Sequence, residues 1–264
     1  MHPFGKQLIG LLNSEKKSVK NALKRFYFTI IGTPDLHSHL RYRGVKALLP
    51  PEATQILDLG CGNGLTSFEM AEIFPQAFLI GLDISDIEVE RAQAIRNSFG
   101  LKNCQFMKHD LRDNLPFSNE SFDLVLLIDI IEHVGDDRKV LREVSRVLKP
   151  EGFVIISVPT PNYPKFFGRK FHYEIGHVRD GYWLYNLCQL LKMNDFALES
   201  YMFHTYVPAA TLCALYYRLL RLSKIGLMAT PLLKVTGILA DSLYPVRSEK
   251  HACSLVVRAK KWGE

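Results

Sequence analysis

Between residues 53 and 160 the chain alternates short apolar runs with longer stretches in which apolar residues recur every three or four positions. The short runs read as strands buried on both faces, and the longer stretches as amphipathic helices. The pattern predicts strands at 55–59, 78–82, 104–107, 123–128, 153–158, 197–205 and 253–259, with helices near 64–74, 86–99, 136–148 and 180–193. Strands and helices alternating at this spacing imply βαβ units, hence an α/β fold with a doubly wound, mostly parallel seven-stranded sheet.

Two regions break this rhythm. Residues 5–31 place Leu8, Leu12, Val19, Leu23, Phe26 and Ile30 at helical spacings with Lys16, Lys17, Lys20 and Lys24 between them, which predicts a basic amphipathic helix. The stretch from Asp35 to Arg43 is polar, and a short helix over Val45–Leu49 ends at Pro50-Pro51. Residues 207–250 hold the apolar stretches Ala209–Leu222 and Ile225–Leu243, a helical insertion before the last strand with Arg218, Arg221 and Lys224 as a basic stripe. The uncharged run Ser200–Tyr217 approaches the length of a membrane span, but its first half reads as a strand and Pro208 interrupts it. Three segments follow: an N-terminal helix and lid over 1–50, a core domain over 51–206 and 251–264, and a cap or contact insertion over 207–250.

The 264 residues are 47% hydrophobic and 23% charged, average for a soluble globular chain, which argues against disorder and against a polytopic membrane protein. The net charge of +6 is uneven. Residues 1–50 carry nine basic and two acidic residues (+7), residues 51–200 carry 15 and 22 (−7), and residues 201–264 carry nine and three (+6). An acidic middle makes a nucleic-acid partner an unfavoured expectation, while basic amphipathic ends favour an anionic membrane surface. The cysteines at 61, 104, 188, 213 and 253 have no metal-ligand spacing and the first residues do not read as a secretory signal. A cytoplasmic protein, peripheral on the membrane, is expected.

The sharpest local signal is the strand Gln55–Leu59 running into Gly60-Cys61-Gly62-Asn63-Gly64 and then a helix. Glycines there let backbone approach a ligand at the carboxyl end of a strand, where open α/β sheets bind. The dinucleotide fingerprint needs glycine at the sixth position, which here is Leu65, so a nicotinamide or flavin is disfavoured. The second strand ends in Gly81-Leu82-Asp83, a carboxylate suited to two ribose hydroxyls, and Asp110 after the third is suited to an adenine amino group.

These residues, with the run Leu115–Asp123, then Glu132-His133-Val134 and Val147–Phe153, resemble the class I S-adenosylmethionine-dependent methyltransferases, of the type 11 and quinone-biosynthesis O-methyltransferase kind. The resemblance spans about residues 53–160 and implies S-adenosylmethionine as cofactor. It implies that Asp58, Gly60, Cys61, Gly62 and Gly64 hold the methionine part and Asp83 the ribose with Ile84 beside it. Asp110 and Leu111 would take the adenine, and Ile128 would touch the cofactor through its backbone. Arg41 or Arg43, with Arg43 preferred, would meet the methionine carboxylate.

The donor's methyl is already activated, so the protein must chiefly align a nucleophile, and needs a base only if that nucleophile is protonated. If Ile128–His133 turns helical, Asp129, Glu132 and His133 share one face. That trio reads as a divalent-cation site such as Mg2+, and resembles the Glu-x-x-Glu-His spacing of the quinone-pathway and small-RNA methyltransferases, with Asp129 in place of the first Glu. Without a metal, Glu132 and His133 are base candidates, and His177 is another, in an aromatic stretch with Tyr163, His172, Tyr173, Arg179, Tyr182 and Trp183. The expected acceptor is an apolar small molecule such as a quinone, prenyl or envelope lipid. An RNA methyltransferase and a catalytically silent cofactor-binding subunit are the alternatives.

Overall fold

The computed structural model describes residues 35–222 and 225–262. The amphipathic helix predicted over 5–31 lies outside the described residues.

The sheet is built from β1 (Gln55–Leu59), β2 (Phe78–Asp83), β3 (Cys104–Lys108), β4 (Phe122–Ile128), β5 (Leu148–Pro159), β6 (Phe196–Tyr206) and β7 (Ala252–Lys261) in the order β3-β2-β1-β4-β5-β7-β6. Strands β1 to β5 run parallel, and β7 is antiparallel to both β5 and β6. Alternation along each strand feeds two cores. Leu57, Leu59, Val125, Leu127, Val154 and Ile156 pack on one face, and Ile56, Leu124, Leu126, Ile155 and Val256 on the other. Burial on both faces is why these strands read as continuous apolar runs.

The helices covering the sheet begin and end where local chemistry dictates. In α3 (Asp86–Phe99), which follows α2 (Leu65–Ile73), the Ser85 hydroxyl accepts from Glu88 N, Asp86 and Glu88 sit in the first turn, and Gly100 closes the helix in the left-handed conformation. Helix α4 (Asp137–Val147) is capped by Asp136 and buries Val140, Leu141, Val144 and Val147 on one stripe.

Helix α1 (Leu36–Ala47) differs from the short helix expected at Val45–Leu49: Asp35 caps it by accepting from His37 N and Ser38 N, so the polar stretch is itself helical. Two short helices, α5 (Tyr163–Phe167) and α6 (Arg169–Glu174), fold what sequence left irregular after β5. Helix α7 (Leu184–Lys192) starts later than expected because Asp180 lies in a bend and Gly181 turns at φ 123°, with Tyr182 N donating to Pro159 O. The stretch after β6 forms α8 (Val207–Leu222) and α9 (Ile225–Leu243), packed on each other and on α1. Among the described residues no helix is long and apolar enough to cross a membrane.

Candidate active site

Strand order reverses between β1 and β4, and the ligand crevice of an open α/β sheet lies at such a reversal. Register sets the loops side by side there: Leu59 pairs with Leu82 and with Leu127, Asp83 with Lys108, and Ile128 with Ser157. The glycine loop, Asp83, Asp110 and Asp129 therefore leave neighbouring strands at one edge.

Backbone holds the loop shut on itself. Gly60 N and Cys61 N donate to Leu82 O at 2.7 and 2.9 Å, and Gly64 N donates to Cys61 O at 2.9 Å. Gly60, at φ 72°, lies so close to Ile130 that a Cβ would fall 1.9 Å from its Cδ1. Gly62 N donates to Asp83 Oδ2 at 2.8 Å, and Ser85 N to Asp83 Oδ1 at 2.9 Å, so backbone fixes the orientation of the Asp83 carboxylate. Beneath the loop Asp58 is buried, and Ser67 Oγ donates to it at 2.5 Å. Burial pushes its carboxyl up to about 7, opposed by Ser67 and assisted by the nearby Asp83 charge. Cys61 is a buried wall residue whose thiol burial raises.

Three cavities open along this edge and share walls. The first, of about 530 Å³, is bounded by Gly60, Asp83, Ile84, Asp110, Leu111 and Ile130. Its mixture of a ribose-type carboxylate and aliphatic side chains suits an adenosine. Asp110 is gripped by Arg112, which with backbone bonding holds it charged, at about 2. His109 also lines this cavity with its Nε2 buried and unbonded, a residue sequence reading missed. The second cavity, about 150 Å³, joins Arg41, Asp58, Gly60, Cys61, Gly62 and Ile128, and suits a charged amino-acid tail.

The third cavity, about 320 Å³, shares Asp129 and His133 with the first and Arg41 with the second. Helix α1 delivers Asp35, His37 and Arg41 to it, β4 and its exit turn deliver Asp129, Glu132 and His133, and Tyr163, Phe171, His177 and Tyr217 complete the wall. The turn after β4 is not helical, so Asp129 does not share a face with its neighbours. At φ 55° it turns back, accepts from Ser157 Oγ at 2.6 Å, and pairs with Arg41. Burial opposes its ionisation, but Arg41, then His37 and Ser157, hold the carboxyl well below its ordinary range. Asp129 thus tethers Arg41. Of the three residues grouped from sequence as metal ligands, Asp129 is taken up by Arg41 and Ser157, whereas Glu132 and His133 place ligand atoms within 4.8 Å of one another and of His177.

A second correction concerns the arginine. Arg41 points into the cleft, whereas Arg43, two residues on and therefore on another face of α1, is exposed and donates to Ser242 Oγ at 3.0 Å.

Glu132 is fully buried, and neither carboxyl oxygen has a hydrogen-bond partner. Burial, then the Asp129 charge, raises it well above its ordinary value. His177 Nε2 stands 4.0 Å away. Its tautomer follows from its neighbours. Arg179 O accepts at 2.8 Å from His172 Nε2, which leaves His172 Nδ1 a lone pair and makes His177 Nδ1–H the donor to it at 2.9 Å. The His177 Nε2 lone pair is then left facing Glu132. Burial, with His133 and His172 adding to it, lowers His177 to about 4. Of the remaining aromatic stretch, Arg179 and Tyr182 bind Asp137 and brace the exit turn, and Tyr173 is exposed.

A family model described as a methyltransferase domain matches residues 51–193, more than half of the chain. The chain belongs to the methyltransferase-domain family. Demethylmenaquinone methyltransferase of Lactococcus lactis is 35% identical over 130 residues, 48% of this chain and 51% of that protein. Ubiquinone biosynthesis O-methyltransferase of Haemophilus ducreyi is 34% identical over 106 residues, 39% of this chain and 44% of that one. The chain spans about half the length, or less, of such curated relatives. An S-adenosylmethionine-dependent methyltransferase from Mesorhizobium loti shares the fold with TM-score 0.56 and 21% identity, covering 87% of this chain and 99% of that one. The doubly wound sheet expected from sequence is thus the methyltransferase fold, and membership of this family implies S-adenosylmethionine. The cleft fits it: a cradle at Gly60 that a Cβ would fill, a carboxylate that backbone fixes at Asp83, and Arg41 beside the small second cavity.

Proposed function

We propose that this chain transfers the methyl group of S-adenosylmethionine to a hydroxyl of an apolar small molecule of the quinone, prenyl or lipid class. The observation that carries the reading is the shared wall: the third cavity, where Tyr163, Phe171, Ile175 and Tyr217 stand among carboxylates and imidazoles, meets the adenosine cavity where Asp129 and His133 line both. When bound, the cofactor supplies an activated methyl. This chain's residues orient and exclude water, and alignment of that kind contributes ~7–11 kcal/mol. Arg41, held by Asp129, and Asp58 with the loop glycines would seat the methionine part, Asp83 the ribose, and Asp110 with Leu111 the adenine. Tyr163, Phe171 and Tyr217 would pack an apolar ring, and the His177 Nε2 lone pair would take the proton of the acceptor hydroxyl beside Glu132. The relatives named for demethylmenaquinone and ubiquinone biosynthesis favour this acceptor class. Such an acceptor resides in membranes, so a peripheral station on an anionic membrane belongs to the same reading.

The test is methyl transfer to a panel of alkylated catechols and to lipid extract. His177→Ala should lower kcat at least tenfold with the affinity for S-adenosylhomocysteine unchanged. Equal loss of cofactor binding, or no change in kcat, overturns the assignment.

One observation favours a second form of the same chemistry. The orphaned carboxyl of Glu132 beside two imidazoles is a donor set for a divalent ion, and imidazoles favour Mn2+ or Zn2+ over Mg2+. Bound there, such an ion would supply a Lewis acid that lowers the pKa of a hydroxyl. Calorimetric titration with Mn2+ reads it directly, and Glu132→Gln should abolish the signal.

A further inference from the structure

The outward face of α9 carries a stripe that nothing in the catalytic cleft explains. Leu232, Val235, Leu239 and Leu243 follow one another at three, four and four residues and are 69%, 57%, 53% and 77% exposed. Their spacing keeps them on one side of the helix. Val246, just beyond the helix, extends the stripe and is also exposed. The helix puts its two charged residues on its other side: Lys234 and Asp241 are buried, and Asp241 Oδ1 accepts from Tyr206 N at 2.8 Å, while the exposed Thr236 hydroxyl is turned back onto Leu232 O at 2.8 Å. Asp241 is the helix's one acidic residue, so its exposed face presents no carboxylate.

The rim of this face is cationic. Arg43, from α1, donates to Ser242 Oγ at 3.0 Å, and Arg247 donates to Ser242 O at 2.7 Å. Both are exposed, and each guanidinium has donors beyond the one it gives to Ser242. Two arginines are thus pinned at the end of an apolar stripe, the arrangement in which a helix lies flat on anionic lipid.

Charge decides between occupants. A second copy packed on this face would bring two more arginines and, since Asp241 is buried, no α9 carboxylate to neutralise either pair. Residues 1–34 of this chain are apolar enough to cover the stripe, yet they carry six basic residues against one acidic, so they too are repelled by the rim. An anionic surface complements both.

We propose that the α9 face, with Leu232, Val235, Leu239 and Leu243 inserted and Arg43 and Arg247 at the phosphates, docks the protein on an anionic lipid bilayer. Its purpose rests on the reading of an apolar acceptor. Helix α9 packs behind α1 and α8, the helices that supply Arg41 and Tyr217 to the third cavity, so docking sets that cavity beside the lipid.

The full chain is sedimented with sucrose-loaded vesicles of equal phosphatidylcholine and phosphatidylglycerol, and with phosphatidylcholine alone. Binding to the mixed vesicles should exceed binding to the neutral ones at least tenfold. The pair Leu232→Glu and Leu239→Glu should abolish it, and Arg43→Gln with Arg247→Gln should weaken it several-fold on mixed vesicles only. Titration with S-adenosylhomocysteine checks that each variant is folded, since none of these residues lines the cleft. Wild-type binding that survives the glutamate pair, a wild type that ignores both vesicles, or a dimer that the glutamates convert to monomer each overturns the proposal. Failure here alongside methylation of an alkylated catechol in detergent would leave the acceptor reading standing. Vesicle binding without any methyl transfer would do the reverse.

Discussion

Asp58 offers a perturbation whose magnitude follows from the structure. Its carboxyl is buried beneath the glycine loop, and burial moves it from an ordinary 3.8 to about 7, against the Ser67 hydroxyl and with help from Asp83. The folded state therefore holds a proton that the unfolded state releases between about pH 4 and 7. Across that window the unfolded chain binds fewer protons, so stability falls as pH rises, with the full benefit present below 3.8 and lost through about 7. About three pH units at 1.36 kcal/mol each is an upper limit of ~4 kcal/mol, and local water penetration should leave ~2 kcal/mol or more. Asparagine keeps the acceptor for Ser67 and removes the titration. Urea unfolding of wild type and Asp58→Asn from pH 4 to 8, without ligand, should give curves that agree at pH 4 and diverge in favour of the variant by pH 8. Parallel curves would refute the assignment of a protonated Asp58, and so would a wild type that gains on the variant as pH rises.

The other predictions concern the same edge. Gly60→Ala forces Ile130 out of contact and into the first cavity, which both residues line, so S-adenosylhomocysteine should bind at least tenfold more weakly; Gly60→Ala with Ile130→Ala should recover only part of the loss in calorimetry, because the strain of a side chain at φ 72° remains. Arg41→Ala should weaken cofactor binding roughly 10- to 100-fold, from ~1.5–3 kcal/mol for a charged hydrogen bond, while Arg43→Ala should leave it within twofold. At pH 6 cofactor binding should release protons, because the ligand's ammonium favours the charged form of Asp58, and calorimetry in two buffers of different ionisation enthalpy reads that directly.

Much of the fold was legible because the strands are buried on both faces and bounded by glycine, proline or capping residues. The five parallel strands fall within a residue or two of their expected bounds at most ends, and β5 departs by starting at Leu148. The cofactor edge was legible because glycine spacing and strand-end carboxylates act locally. What escaped was set by long-range partners. Helix α1 looked irregular because it buries His37 and His39 alongside Leu36, Leu40 and Val45 and turns Arg41 into a cavity, so no purely apolar face marks it. For the same reason nothing local separates Arg41 from Arg43; Asp129, 88 residues away, decides which one enters the cleft. The left-handed turn at Asp129 broke the helical face that had grouped it with Glu132 and His133. His177 reached that group only through α6 and the His172 contact.

The central claim is that this cleft binds S-adenosylmethionine with Asp83 on the ribose. Isothermal titration of the full chain with S-adenosylmethionine and S-adenosylhomocysteine should show saturable binding at one site per chain. Asp83→Ala should weaken it roughly 100-fold or more, the loss of two charged hydrogen bonds at ~1.5–3 kcal/mol each. A folded wild type that binds neither ligand, or an Asp83→Ala variant that binds both as well as wild type, would contradict the account.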